Sequence, residues 1–179
     1  MKIIISVLLL LSFNANAQKL THSEKNIWKK ALKNMEETDQ KYRQLVIASP
    51  EMNNDSIWNL QTSLDSNNRV KFIELTTIYG YPSLKQNGKE ASLTLILHFT
   101  TEADFKNFKY LFKSELDKGN MLPEYYAWWY DRCQRNMGKT IFYGQYPYPK
   151  EYCGKKYTTY NERRKKIGLE PLKGASICD

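Results

Sequence analysis

The sequence is poor in residues that break or stiffen a chain, with eight Gly and six Pro among 179 residues. It has no fixed-period repeat and no P-loop or dinucleotide-binding fingerprint, which excludes collagen-like and solenoid folds and the common nucleotide-binding motifs. Valine is also scarce after the amino terminus, where only Val46 and Val70 remain, so a main ingredient of β-sheets is missing. Because 41% of the residues are apolar, a disordered chain is excluded and a globular protein is predicted.

Cysteine and histidine are rare, with three and two residues respectively. The spacing of Cys133, Cys153 and Cys178 matches no zinc pattern, and His22 lies far from His98, so we predict no metal site and no cofactor. An odd number of cysteines allows at most one intramolecular disulfide. We expect it to join Cys153 either to Cys178 or to Cys133, with a structural role.

The longest apolar run lies at residues 3–13, between Lys2 and an A-x-A sequence that ends at Ala17. These three parts are typical of a cleavable secretory signal. The run is shorter than the roughly 20 apolar residues that a membrane-spanning helix needs. We therefore expect residues 1–17 to be a signal peptide and residues 18–179 to form a single domain, periplasmic or secreted, with no membrane span after signal removal.

Apolar residues recur at helical spacing and predict a mainly α-helical bundle. The five predicted helices cover residues 24–48, 65–79, 91–99, 101–118 and 124–137. A buried strand fits 91–99 almost as well. The second helix is expected to begin at a cap, Asp65 or Ser66, after a separate short segment around Trp58. In the basic tail region 138–179, residues 143–160 predict an extended Tyr-rich segment, followed by a short helix at 161–167.

Several polar residues fall beside apolar stripes. Asp39 lies on the stripe of the first helix, which favours a partly buried carboxylate, although a surface ion pair with Arg43 is the alternative. His98 ends an apolar run and fits either a buried hydrogen-bonding role or a general base. Asp131 and Arg132 are adjacent on the aromatic helix, where they fit either a salt bridge or a site for phosphate or carboxylate.

The run from Arg163 to Lys166 is four consecutive positive charges, which usually form a solvated face. Nucleic-acid binding with stacking tyrosines is the alternative, but a secreted protein rarely meets nucleic acid, so none is predicted. No nucleophile motif such as G-x-S-x-G is present, and no Cys stands beside a His. The residue set therefore favours binding or acid–base chemistry over covalent catalysis, without deciding whether the protein is an enzyme.

An ordered set of motifs resembles a bacterial family of uncharacterised helical domains of unknown function. The motifs are Asp39-Gln40-x-x-Arg43, Asp65-x-x-Asn68, Gly80-x-Pro82, His98, Asp131-Arg132, Tyr143-Gly144-Gln145, Asn161-x-Arg163-Arg164 and Gly168-Leu169-x-Pro171-Leu172. The resemblance runs from about Met35 to Leu172, and it implies a mainly helical single domain with no assigned reaction. Two motifs depart from the family pattern: no acid follows His98 closely, and the segment at Tyr143 is one residue shorter.

Two functions follow as hypotheses. The first is a polar pocket that binds or hydrolyses a small anionic molecule. Its catalytic candidates are His98 and Asp131, and its ligand-binding candidates are Asp39, Arg43, Arg132, Tyr143, Gln145, Arg163 and Arg164. The alternative is a non-enzymatic envelope module in which these residues form a buried salt-bridge network. Residues 132–179 hold 11 basic and 4 acidic residues, so an anionic ligand or an acidic protein surface is expected there.

Overall fold

The computed structural model describes residues 20–48, 55–83, 91, 93–145 and 155–172. Within these ranges the chain is mainly helical, and six helices follow one another without a strand. They are α1 (His22–Ala48), α2 (Asp55–Tyr79), α3 (Leu93–Ile96), α4 (Glu102–Asp117), α5 (Pro123–Asn136) and α6 (Lys155–Lys166). The predicted all-helical fold is confirmed. The residues 1–17 that we predict to be a signal peptide and the segment 146–154 lie outside the described residues.

The helix ends follow local capping chemistry. Thr21 and Glu24 form a capping box at the start of α1, where the Thr21 N–H donates to Glu24 at 2.7 Å and the Glu24 N–H donates back to the Thr21 hydroxyl at 3.3 Å. Thr101 and Asp104 form a second capping box before α4. Gly119 follows α4 with a φ of 70°, a backbone conformation that strains any residue with a Cβ.

Long α1 and α2 form an antiparallel hairpin, since Trp28 donates its indole N–H to the Gly80 carbonyl while Gln61 bonds to Asp39 farther along. The short α3 contacts both α1 and α5, and α4 packs on α5. Phe72 of α2 lies at the centre of the core. Its ring centroid is within 6.4 Å of five other aromatic rings, those of Trp28, Tyr81, Phe99, Phe108 and Phe112.

The prediction for α2 was wrong about where the helix begins. The helix begins at Asp55 rather than at a cap near Asp65, because Asp65 pairs with Arg43 across the hairpin instead of capping. Two of its apolar residues, Val70 and Ile78, are 54% and 67% exposed. The buried side is shared between apolar residues and polar ones, and it consists of Gln61, Asn68, Phe72, Leu75 and Thr76.

The carboxyl-terminal helix also starts earlier than expected. We predicted an extended segment up to residue 160 and a helix over 161–167, whereas α6 begins at Lys155. Tyr157 donates its hydroxyl to the Leu172 carbonyl, and Asn161 accepts the Leu172 N–H at 2.8 Å. These bonds tie the chain after α6 back onto the helix, which stabilises its first turns. The prediction for residues 91–99 was right in type, with a helix at Leu93–Ile96.

Candidate functional site

The most distinctive polar contact in the structure joins His98 to Asp39. His98 Nδ1 lies 2.5 Å from Asp39 Oδ1, and the Asp39 residue is only 1% exposed. An ionised carboxylate can only accept, so Nδ1 is the donor in this contact, and whenever the ring is neutral its lone pair lies on Nε2. The His98 side chain is 14% exposed, and its Nε2 has no hydrogen-bond partner among the described residues. The ring therefore keeps one nitrogen available at a partly open surface.

The Asp39 carboxylate has two further neighbours. The Gln40 side-chain amide donates to Asp39 Oδ2 at 2.5 Å, and Arg43 Nη1 lies 3.4 Å from Asp39 Oδ1. A buried carboxylate needs such donors and cations to offset its lost hydration. The ion pair with Arg43 that was the alternative for Asp39 is present, but the Asp39 carboxylate in it is buried and does not lie on the surface. Asp39, Arg43 and His98 therefore lie in direct contact with one another through Asp39.

Arg43 extends the group across the hairpin to α2. Its two terminal nitrogens reach the two oxygens of Asp65, at 3.0 and 2.5 Å, in the bidentate geometry that suits guanidinium and carboxylate. The buried Gln61 amide donates to Asp65 Oδ1 at 2.7 Å. We call Asp39, Gln61, Arg43, Asp65 and His98 the hairpin cluster. It joins α1, α2 and the turn after α3.

Asp131 belongs to a different group. Its carboxylate accepts three main-chain N–H groups, from Phe142 and Tyr143 at 2.7 and 2.9 Å through Oδ1 and from Gln145 at 2.8 Å through Oδ2. Burial raises the pKa of this carboxyl, while the three N–H groups and the nearby Arg164 guanidinium counteract that shift. All of its described contacts fix the segment 141–145 against α5.

Arg163 and Arg164 of α6 hold the same segment from the other side. Arg163 donates to the Phe142 carbonyl at 3.2 Å and lies 4.0 Å from the centroid of the Phe142 ring, within the range of a cation–π contact. Arg164, 8% exposed, donates to the Tyr143 carbonyl at 3.1 Å. We call Asp131, Arg163 and Arg164 the loop cluster. Its arginines bind main-chain carbonyls of this protein.

Tyr143 and Gln145 were both predicted to bind ligand. In the structure their described contacts are with other residues of the segment and of α5 and α6. Tyr143 packs edge-on against the rings of Tyr126 and Tyr130, and burial raises its pKa to about 12. Gln145 takes part through its main-chain N–H. Together with Asp131, these contacts give the loop cluster the role of a structural joint between α5 and α6.

Arg132 joins neither cluster. Its side chain is half-buried, and its guanidinium makes no hydrogen bond or ion pair with any residue in the described ranges. Arg132 lies three residues after Trp129 and four before Asn136. These two neighbours bond to the residues that follow His98: Trp129 donates to the Phe99 carbonyl at 2.7 Å, and Asn136 donates to the Thr100 hydroxyl at 2.9 Å. Residues at this spacing share a helix face, so Arg132 lies on the face of α5 that contacts Phe99 and Thr100, the two residues after His98.

Cys133 is a buried free thiol, and its Sγ lies 3.9 Å from the Phe99 carbonyl. Burial raises the pKa of this thiol, which disfavours the thiolate form that nucleophilic chemistry requires. Cys153 and Cys178 lie outside the described residues, and their pairing stays a prediction.

Other features of the described ranges do not point to a second site. No three His, Cys, Asp or Glu residues there are placed to hold a metal ion, and no helix there is long and apolar enough to cross a membrane. A groove of about 300 Å³ separates α1 from α2. It is lined by Ala31, Asn34, Met35, Asn67, Asn68 and Lys71, and by none of the predicted site residues.

Sequence reasoning missed Gln61 and gave Asp65 the wrong role. Gln61, Asp65 and Asn68 are spaced i, i+4 and i+7, which places them on one face of a helix. That spacing would have revealed a polar face if the helix had been extended back to Asp55. The predicted helix does not extend back to Asp55, because the apolar residues around Trp58 favour a separate short segment.

Comparison with known proteins gives no further assignment. No protein-family model matches the chain, and neither a curated protein nor a solved structure matches it. The resemblance to a family of uncharacterised helical domains therefore stays a prediction.

Proposed function

We propose that this protein binds a small anionic molecule beside His98 and that the His98–Asp39 pair acts there as an acid–base group. The observation that carries the proposal is the 2.5 Å contact between His98 Nδ1 and a fully buried carboxylate. In this arrangement the carboxylate fixes the ring and stabilises the imidazolium that forms when Nε2 takes up a proton. Hydrolysis by a water molecule is compatible with this chemistry, and so is binding alone.

Arg132 supports the choice of an anion. A half-buried guanidinium has lost part of its hydration and gains from a charged partner, and a carboxylate or phosphate fits its planar fork. Because Arg132 has no such partner in the part of the chain described, an external anion is a suitable one. Arg43 is less suited to this role, since Asp65 and Asp39 already occupy it.

The residues of the loop cluster favour the structural alternative for their own part of the molecule. Asp131, Arg163 and Arg164 bind main-chain groups at 2.6–3.2 Å, so each already has partners within the fold. We therefore restrict the proposed site to His98, Asp39 and Arg132. As part of the same proposal, the signal-like residues 1–17 direct the protein to the periplasm or the exterior.

Binding is tested by measuring thermal shifts with inorganic phosphate, a nucleoside monophosphate and gluconate, followed by calorimetric titration with any that stabilises the protein. We expect Arg132→Ala to weaken binding about tenfold or more, since a hydrogen bond to a charged group contributes roughly 1.5–3 kcal/mol. The matched control is Arg135→Ala, which removes an exposed arginine of the same helix. The proposal is refuted if no anion shifts the wild-type Tm, or if the two variants bind equally well.

A further inference from the structure

We infer that Gln61 is a positioning residue that fixes the turn of α1 carrying Asp39, and through it the orientation of His98. The inference rests on the proposed acid–base role of His98. Gln61 is 1% exposed, and its amide makes three hydrogen bonds. It donates to the Asp39 carbonyl at 2.9 Å and to Asp65 at 2.7 Å, and it accepts the Tyr42 N–H at 3.0 Å. Both amide hydrogens and the amide oxygen therefore have partners.

Two of these bonds reach the main chain of another helix, which is an uncommon arrangement. Inside a helix the N–H and C=O groups ordinarily bond to each other and need no side chain. Here one amide engages the carbonyl of Asp39 and the N–H of Tyr42, which lie three residues apart on α1. The Gln61 side chain therefore spans nearly the whole helical turn that begins at Asp39 and limits how far that turn can rotate or slide.

Arg43 completes the restraint. Asp65 Oδ1 accepts from both Gln61 and Arg43, at 2.7 and 3.0 Å. Arg43 in turn donates to the Asp39 carbonyl, which Gln61 also contacts. The bonds thus form a closed ring through Gln61, Asp65, Arg43 and the main chain at Asp39. A change at Gln61 opens this ring at the residue whose carboxylate holds His98.

A second buried amide on α2 joins the same two helices without a described contact to Asp39 or His98. Asn68 donates to the Met35 carbonyl at 3.1 Å, and its oxygen lies 3.2 Å from the Thr38 hydroxyl, which donates to it. Asn68 has the same chemistry and similar burial as Gln61, and it joins the same two helices. It contacts the turn before Asp39 and makes no described contact with Asp39 or His98. Asn68 is therefore a matched control for Gln61.

The experiment compares Gln61→Met with Asn68→Leu in the full-length protein by proton NMR. Each variant keeps much of the side-chain volume and removes the amide. The readout is the downfield, slowly exchanging proton on His98 Nδ1 that the bond to Asp39 protects, assigned by its absence in His98→Ala. No ligand is needed, so the result is independent of the anion-binding test of the proposed function.

We expect the His98 resonance to be lost or to move upfield in Gln61→Met and to stay in place in Asn68→Leu, although both variants lower the Tm. A folded Gln61→Met protein with an unchanged resonance would overturn the inference, as would an equal change in Asn68→Leu. If Gln61→Met does not fold, Gln61→Glu serves instead, because it keeps an acceptor for the Tyr42 N–H and loses both donors. An unchanged resonance in folded Gln61→Glu would likewise overturn it.

Discussion

Arg164→Met tests whether the loop cluster is structural. Arg164 is 8% exposed and donates Nε to the Glu170 carbonyl at 2.6 Å and Nη1 to the Tyr143 carbonyl at 3.1 Å. Methionine keeps most of the apolar stem and removes the charged head. Two main-chain carbonyls then lose a charge-assisted bond, and the segments on both sides of α6 lose a common attachment.

The size of the effect follows from these two bonds. A hydrogen bond to a charged group contributes roughly 1.5–3 kcal/mol to stability. Allowing for relaxation of the carbonyls toward water, we expect the free energy of unfolding to fall by about 3–4 kcal/mol. For a chain of this size each kcal/mol lowers the Tm by roughly 2–4 °C, so the drop should be about 10 °C.

Urea denaturation followed by circular dichroism measures this loss. The control is Lys165→Met, which makes a comparable change at the next residue of α6, an exposed position, and should leave the midpoint nearly unchanged. The His98 Nδ1 proton signal should also persist in Arg164→Met below its unfolding temperature. Equal midpoints for the two variants would refute the structural assignment of Arg164, and loss of the His98 signal would refute the separation of the two clusters.

Two other predictions concern buried ionisable groups. Arg69→Met removes the cation 2.5 Å from the fully buried Asp104 and should cost about 3 kcal/mol in urea denaturation. Lys106→Met, at the exposed partner of Glu102, should have little effect, and similar losses would contradict this account. Burial raises the pKa of Tyr143 from 10.0 to about 12, so the folded state holds the phenol proton more tightly than the unfolded chain. Stability should therefore be lost as the pH rises from 10 toward 12, and Tyr143→Phe should lose less over that window. The measurement is an alkaline titration in which the absorbance at 295 nm follows tyrosine ionisation. An equal loss of stability in the wild type and in Tyr143→Phe would contradict the assignment.

The helices that the sequence predicted well are those whose apolar stripes and caps agree. For α4, Phe108 and Phe112 mark the buried side, Thr101 supplies the cap, and Gly119 ends the helix. For α5, Pro123 occupies the first turn and its aromatic residues are buried on one side. Local rules suffice there because each residue type agrees with its surroundings.

The same rules failed on α2, where the polar Gln61 and Asn68 are buried and Val70 is exposed. The burial of those amides depends on main-chain groups of α1, which local spacing does not encode. The candidate site shows the same limit. The stripe of α1 left Asp39 either partly buried or in a surface pair with Arg43. Its partner His98 is 59 residues away, and only the packing of α3 on α1 brings the two together.

The most direct test of the proposed acid–base site is a long-range proton–nitrogen NMR spectrum of the imidazole nitrogens, recorded before and after addition of inorganic phosphate. His22 is exposed and serves as an internal reference. The account predicts that His98 Nδ1 carries a protected proton and that the Nε2 signal moves when phosphate binds, while both nitrogens of His22 stay in place. A His98 ring protonated on Nε2 alone would contradict the account. So would a His98 Nε2 signal that, like the signals of His22, stays in place when phosphate is added.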